Sequence, residues 1–258
     1  MIAERLPDFN IDTFRDQYDL ICVLGPTASG KTKLAVQLCR ELSAAATPEA
    51  GPSLCEIISA DSRQVYRGMD IGTGKDLSDY GGIPYHIIDV AEPGEQYNVY
   101  RFAEDFNTAY ESITSRGRFP ILCGGTGLYI NAIAQSYDFR SKQPLSAARE
   151  TRSRLRIYFI GTSVSREVRN ARIDARLDAR LEEGMVEEIR GLLDKGVPAE
   201  RLISYGLEYK FVTLYLTGQL GYDEMKQKLA TAIHQFAKRQ MTWFRGMERS
   251  GITIHWVE

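Results

Sequence analysis

Residues 25–32 read Gly-Pro-Thr-Ala-Ser-Gly-Lys-Thr, a match to G-x-x-x-x-G-K-[ST], whose backbone N–H groups cradle a di- or triphosphate. The cradle comprises Gly25, Pro26, Thr27, Ala28, Ser29, Gly30, Lys31 and Thr32. Lys31 places a point charge on the terminal phosphates, and the Thr32 hydroxyl is the usual Mg²⁺ ligand. By itself such a loop suits a small-molecule kinase, a nucleotide hydrolase or any enzyme that holds a diphosphate leaving group. Asp61 and Asp89 follow or end later apolar runs, where loops of this kind often place a second Mg²⁺ ligand. Asp61 has two further readings: a general base toward an incoming nucleophile, or a cap on the next helix.

Two more stretches carry chemistry. Gly124-Gly-Thr-Gly-Leu-Tyr129 is a second glycine-rich turn. Its N–H groups and the Thr126 hydroxyl can face the same crevice, although a tight turn alone accounts for the glycines. Lys238-Arg-Gln-Met-Thr-Trp-Phe-Arg245 mixes three cations with two aromatics, and helical spacing pairs Arg239 with Trp243. Cations meet phosphates and aromatics stack on bases, so the segment suits nucleic acid. Alternatively, Trp243 and Phe244 are core residues of a helix with a basic outer face. Arginines also crowd the stretch from Arg140 to Arg180, as a solvated helix face or as a surface for phosphate backbones.

The elements that must position these residues are legible in the hydrophobic pattern. Leu20–Leu24 is a short buried strand entering the loop, and Lys31–Leu42 has helical apolar spacing on the way out. The helix dipole and its free N–H groups then point at the anion. Strands are expected at Leu54–Ser59, Tyr85–Val90, Phe119–Cys123, Leu155–Gly161 and Ile252–Val257. Helices are expected at Val99–Ser115, from Ser165 to Leu193 with a break near Gly184, at Leu202–Leu216 and at Tyr222–Met247. A single helical turn is expected around Asp12–Gln17, and residues 43–53 and 68–82 read as loops. Alternation of strand and helix through the first half predicts an α/β fold, a parallel sheet with helices on both faces, followed by a helical C-terminal half. Functional groups of such sheets collect at the C-terminal ends of the strands, where Asp61 falls.

Bulk properties set the bounds. A chain of 258 residues, 43% apolar and 26% charged, has the makings of one sizeable soluble core. No apolar run approaches the roughly 20 residues that span a bilayer, and the first residues lack the apolar core of a signal peptide. Cytoplasmic residence and a monomer are the default expectations. The four cysteines form no C-x-x-C pair and are expected as buried, reduced thiols. A net charge of −2 leaves any polyanion surface to local clustering.

Taken together, residues 25–32, 58–73, 124–129 and 238–245, with His86–Asp89 and 172–196, resemble the tRNA dimethylallyltransferases over most of the chain. The resemblance implies a P-loop NTPase-like fold and one prenyltransferase domain over residues 1–258. It implies transfer of a dimethylallyl group from dimethylallyl diphosphate to the N6 amine of adenosine 37 in the tRNA anticodon loop, with Mg²⁺ as cofactor. Under it Asp61 is the base, Thr126 hydrogen-bonds the bridging oxygen of the leaving group, and Lys31 with the loop holds the diphosphate. The segments Asp61, Ser62, Arg63 and Gln64, and Lys238, Arg239, Gln240, Trp243 and Arg245, would contact tRNA together with Thr126. The chain departs from the family pattern in three places. A helical insertion of several tens of residues is reduced to about 138–154. The family's Gly-Tyr-(Arg/Lys)-Glu segment, with a basic residue shortly before it, appears as Ser204-Tyr-Gly-Leu-Glu-Tyr-Lys210, with Lys210 the candidate for the lost charge. Tyr85 stands for the first of two histidines, and Asp76 for a proline. Adenylate isopentenyltransferases, which prenylate free nucleotide and also lack the insertion, are the related alternative; a non-catalytic RNA-binding relative and a kinase are the alternatives of other classes.

Overall fold

The computed structural model describes residues 14–44, 54–135, 137–138, 143–144 and 155–258. Six parallel strands form one sheet in the order β3-β2-β4-β1-β7-β8: β1 Leu20–Leu24, β2 Cys55–Ser59, β3 Tyr85–His86, β4 Phe119–Gly124, β7 Ile157–Thr162 and β8 Ile254–Val257. Between β4 and β7 lies a small antiparallel hairpin, β5 Tyr137–Asp138 with β6 Gln143–Pro144; the rest of the reduced insertion lies outside the described residues. The central strands are apolar throughout because both faces of a parallel sheet are covered. Successive residues therefore feed opposite cores. Ile21, Val23, Ile57 and Ile121 pack with Leu34, Leu38 and Leu42 of α2 (Lys31–Ala44) and with Phe14 of the one-turn α1 (Phe14–Gln17).

Leu20, Cys22, Leu24, Ile58 and Leu122 point the other way. That face is covered by α3 (Val99–Ser115), α4 (Gly127–Ala134), α5 (Arg166–Glu182), α6 (Met185–Asp194), α7 (Ala199–Ser204), α8 (Leu207–Leu216) and α9 (Tyr222–Arg249). Asn98 caps α3, accepting the N–H groups of Tyr100 and Arg101, and Ser165 caps α5, accepting that of Val168. The expected α/β sheet with helices on both faces and a helical second half is observed. All four cysteines are buried and reduced.

Two expectations are corrected. The strand expected over Tyr85–Val90 holds its ladder for only two residues. Ile87 and Asp89 adopt φ of 62° and 56°, and the N–H groups of Asp89 and Val90 turn to the carbonyls of Gln64 and Val65. Asp89 thereby reaches the buried Lys75. The helix expected over Leu202–Leu216 is two helices, α7 and α8. Gly206, at φ 75°, takes a backbone conformation that L-residues avoid, and the chain redirects there so that Glu208 in the first turn of α8 is buried.

Candidate active site

Register brings the chemistry to one edge of the sheet. Leu24 lies opposite Gly124 and Gly161, and Ser59 opposite Cys123. The phosphate loop, the Ala60–Asp61 exit and the Gly125–Thr126 turn therefore leave together from the C-terminal ends of adjacent strands. Ala60 bridges two of these exits: its N–H donates to Cys123 carbonyl (2.8 Å), and its carbonyl accepts from Thr126 N–H (3.1 Å).

Within the loop Ala28 is held at φ 62°, a strained choice for a residue with a side chain. The Ser29 hydroxyl is 2.8 Å from Pro26 carbonyl and 2.6 Å from Thr162 Oγ1 of β7. A further tie comes from α9. Thr27 N–H donates to Gln240 Oε1 (2.8 Å), and Gln240 Nε2 donates to Gly125 carbonyl (2.9 Å). One buried amide thus fastens the phosphate loop to the second glycine turn. A Cβ on Gly125 would sit 2.3 Å from Gln240 Nε2, so a side chain there would push the amide off this tie.

Lys31, Thr32, Asp61, Arg63, Gln64 and Gly124 line one cleft of about 510 Å³. Burial lowers the Lys31 ammonium from the ordinary lysine value, while the Asp61 carboxylate opposes that shift. Asp61 Oδ1 accepts Arg63 N–H at 3.0 Å, which orients the carboxylate from its own following turn. Asp89, the other Mg²⁺ candidate, is engaged with Lys75 and does not line the cleft. Thr126 Oγ1 accepts Ser62 N–H (3.0 Å) and donates to Ser62 Oγ (3.3 Å), which places that hydroxyl one residue from Asp61. The Cys123 thiol at the cleft floor is pushed up to about 12 by burial, against the pull of Lys31; it stays protonated and is not a nucleophile at neutral pH.

The opposite wall comes from the second half of the chain. Arg172, Arg176 and Arg180 recur every fourth residue of α5 and all line the cleft, the stripe running from exposed Arg172 at its rim through half-buried Arg176 to buried Arg180. Arg140, Arg149, Arg152 and Arg154 lie outside the described residues. Altogether seven cationic side chains face four carboxylates in the cleft lining, a positive bias in a chain of net charge −2 that suits a polyanionic substrate. Arg63 donates to Glu208 and to Gly72 carbonyl (3.1 Å), and Gln64 Nε2 donates to Gly74 carbonyl (3.0 Å). Lys210 is exposed, its ammonium 5.4 Å from the Phe211 ring, away from the cleft lining.

On α9 the basic aromatic segment divides. Gln240 and Phe244 are buried, Lys238, Arg239 and Arg245 are exposed, and Trp243 is 45% exposed. The core alternative therefore holds for Phe244 but not for its neighbour. Ile233, Phe236 and Gln240 of the same helix line the cleft, so the exposed Lys238 and Arg239 sit level with it on the outer face of the helix, and Trp243 and Arg245 follow within about one and a half turns. Sequence reasoning overlooked three residues. Glu208 is the buried partner of Arg63. Glu188 accepts the N–H groups of Asp70, Ile71 and Gly72 at 2.7–3.1 Å. Lys75 is buried between Asp70, Asp89 and Tyr66 carbonyl. The four-residue arginine spacing was available as a signal, and Glu208 falls in the segment that departs from the family pattern; nothing local marked Glu188.

Comparison with known proteins gives the family. The IPP transferase family model matches residues 64–153 and 139–247. The chain is 46% identical to "tRNA dimethylallyltransferase 2" of Bacteroides fragilis and 46% identical to the protein of that name from Porphyromonas gingivalis, each match covering 93% of both chains. The alignment to the first runs over 295 positions, more than the 258 residues of this chain; that relative carries residues without a counterpart here. Among solved structures it resembles the full-length tRNA isopentenylpyrophosphate transferase of Bacillus halodurans (TM-score 0.78, 30% identity, 93% of this chain and 89% of that one). It also resembles the tRNA delta(2)-isopentenylpyrophosphate transferase of Staphylococcus epidermidis (TM-score 0.75, 28% identity, 92% of each). The chain belongs to the IPP transferase family, the tRNA dimethylallyltransferases.

Proposed function

We propose that this protein transfers a dimethylallyl group from dimethylallyl diphosphate to the N6 amine of adenosine 37 in the anticodon loop of tRNA, releasing diphosphate. The observation that carries the reading is the single cleft in which a phosphate loop, Lys31 and the oriented Asp61 carboxylate meet, in a chain of this family. Adenine N6 is a poor nucleophile because its lone pair is delocalised into the ring. As N6 bonds to the allylic carbon, the carbon–oxygen bond breaks and its electron pair leaves on diphosphate. Asp61 takes the N6 proton. Lys31 and the N–H groups of residues 25–32 stabilise the charge that builds on the departing oxygens. Thr126 gives up its 3.3 Å contact with Ser62 Oγ to hydrogen-bond the bridging oxygen.

The donor set fits Mg²⁺. The Thr32 hydroxyl lines the cleft beside Lys31, and Mg²⁺ is commonly held by few protein oxygens together with substrate phosphates and water. Thr32 would hold it beside Lys31, and when bound it adds positive charge to the diphosphate. A base in a loop leaves the stack more readily than one in a duplex. Arg63 and Gln64 in the cleft lining, Ser62 beside it, and the exposed Lys238, Arg239, Trp243 and Arg245 of α9 form the tRNA-facing surface. The buried Gln240 serves it indirectly by tying the phosphate loop to Gly125. Among the described residues no helix is long and apolar enough to cross a membrane, and we place the reaction in the cytoplasm with its tRNA substrate. Asp61→Asn should lower turnover by about 10²–10⁴ in a labelled-donor transfer assay while donor affinity stays near that of the unaltered protein. Unchanged turnover would remove Asp61 from the role of base.

A further inference from the structure

We propose that Arg180 of α5 is a second anchor for the departing diphosphate, acting from the cleft wall opposite the phosphate loop. The inference rests on the functional reading above and deepens it. Arg180 has a side chain only 10% exposed, yet its Nη2 has no hydrogen-bond partner. Two carboxylates lie near it, both beyond hydrogen-bond reach: Asp76 Oδ2 is 3.8 Å from Nη2, and Glu208 Oε1 is 3.9 Å from Nη1. Each has a closer partner, Arg176 for Asp76 and Arg63 for Glu208.

A buried guanidinium left short of acceptors is costly, and it is paired here with a second one. A Cβ on Gly74 would lie 1.8 Å from Arg180 Nη2 and 2.8 Å from Arg176 Nη2, so both guanidiniums converge on one glycine. Burial, reinforced by Arg176, pushes Arg180 down to about 10; it remains cationic at neutral pH. Two like charges brought together inside a cleft that already holds Lys31 form an arrangement that a multivalent anion relieves. A guanidinium offers two parallel N–H donors to phosphate oxygens, and the charge on those oxygens grows as the carbon–oxygen bond breaks. No bond to the protein is made. The plain alternative is a purely structural Arg180 that ties α5 to α8 and to the 70–76 loop.

The probe is inorganic pyrophosphate with Mg²⁺, titrated calorimetrically, alongside KM for the donor, kcat and thermal unfolding. Arg180→Gln should weaken pyrophosphate binding roughly 10- to 100-fold, the worth of a hydrogen bond to a charged group. Its kcat/KM for the donor should fall at least as far, with KM for tRNA unchanged. Because an under-compensated buried charge is removed, the unfolding midpoint should hold or rise; a structural tie predicts a lower midpoint with unchanged pyrophosphate affinity, and that result would overturn the inference. Should Arg180→Gln fail to fold, Arg180→Lys carries the test. It keeps charge but loses the fork, so affinity should fall about 3- to 10-fold, and unchanged affinity overturns the proposal. An unaltered protein that binds pyrophosphate but transfers no prenyl group would overturn the functional reading, while weakened binding in the variant would still support this one. No pyrophosphate binding by the unaltered protein would overturn both.

Discussion

Gln240 is where the geometry and the family resemblance part most sharply, so its replacement is informative. The resemblance gives it to the tRNA, whereas its amide is spent inside the protein on Thr27 N–H and Gly125 carbonyl. Gln240→Met keeps the length of the side chain and removes both bonds. Each partner left unpaired costs about 1–3 kcal/mol. Gly125 is buried, while Thr27 is half-buried and regains part of its loss from water, so the total comes to about 2–3 kcal/mol. For a chain of this size that lowers the unfolding midpoint by roughly 4–12 °C. With the phosphate loop no longer tied to the second glycine turn, KM for the donor should rise about 5- to 30-fold, the equivalent of one to two kcal/mol. Gln240→Glu should do worse, since it keeps an acceptor for Thr27 but turns a carboxylate toward a carbonyl and toward the diphosphate site. Calorimetric unfolding and steady-state kinetics with each substrate varied in turn give the readout. A Gln240→Met protein with an unchanged midpoint and donor KM, and only a raised tRNA KM, would refute the reasoning and return Gln240 to the RNA.

Three further outcomes are expected. Glu188→Gln should loosen the 70–72 loop, whose three N–H groups share this carboxylate, raising amide hydrogen exchange at Asp70–Gly72; exchange as slow as in the unaltered protein would contradict the assignment. Burial tends to raise Glu56, but hydrogen bonds from His86 and Arg118 and the charge of Arg116 outweigh it and hold the carboxyl below its ordinary value. That stability is present above the unfolded glutamate pKa of about 4.3 and is lost as pH falls through the lower folded value. Glu56→Gln should therefore lower the midpoint at pH 7 and flatten its decline below about pH 4.3; an equally steep decline would contradict this. Trp243→Ala should weaken tRNA binding by about 1–3 kcal/mol if one base stacks there, leaving pyrophosphate affinity unchanged. Fluorescence anisotropy with an anticodon stem-loop checks it, and unchanged RNA affinity would remove Trp243 from the interface.

The phosphate loop, the Asp61 exit and the second glycine turn were legible because each is a contiguous segment bounded by a strand or helix that its own periodicity reveals. Arg172, Arg176 and Arg180 were visible as a four-residue repeat. Whether that stripe met solvent or a cavity depended on how α5 is tilted, which periodicity does not encode. Glu208 was hidden inside an apparently continuous helical run. Its burial follows from the break at Gly206 and from Arg63 waiting 145 residues earlier. The shortened β3 has the same origin, since the turn of Ile87 and Asp89 serves Lys75, a partner outside the strand. Gln240 shows the limit of motif reading: a motif gives a residue's place in the chain, while the direction its amide faces is set by the loops that pack above it.

The central claim is most directly tested by offering the protein labelled dimethylallyl diphosphate and Mg²⁺ with unmodified tRNA in one tube and AMP in another. The products are then digested to nucleosides and identified by mass spectrometry. The account predicts label on N6 of adenosine from the tRNA, at the position beside the anticodon, and little on AMP. Label on AMP alone, or on neither acceptor, would contradict it.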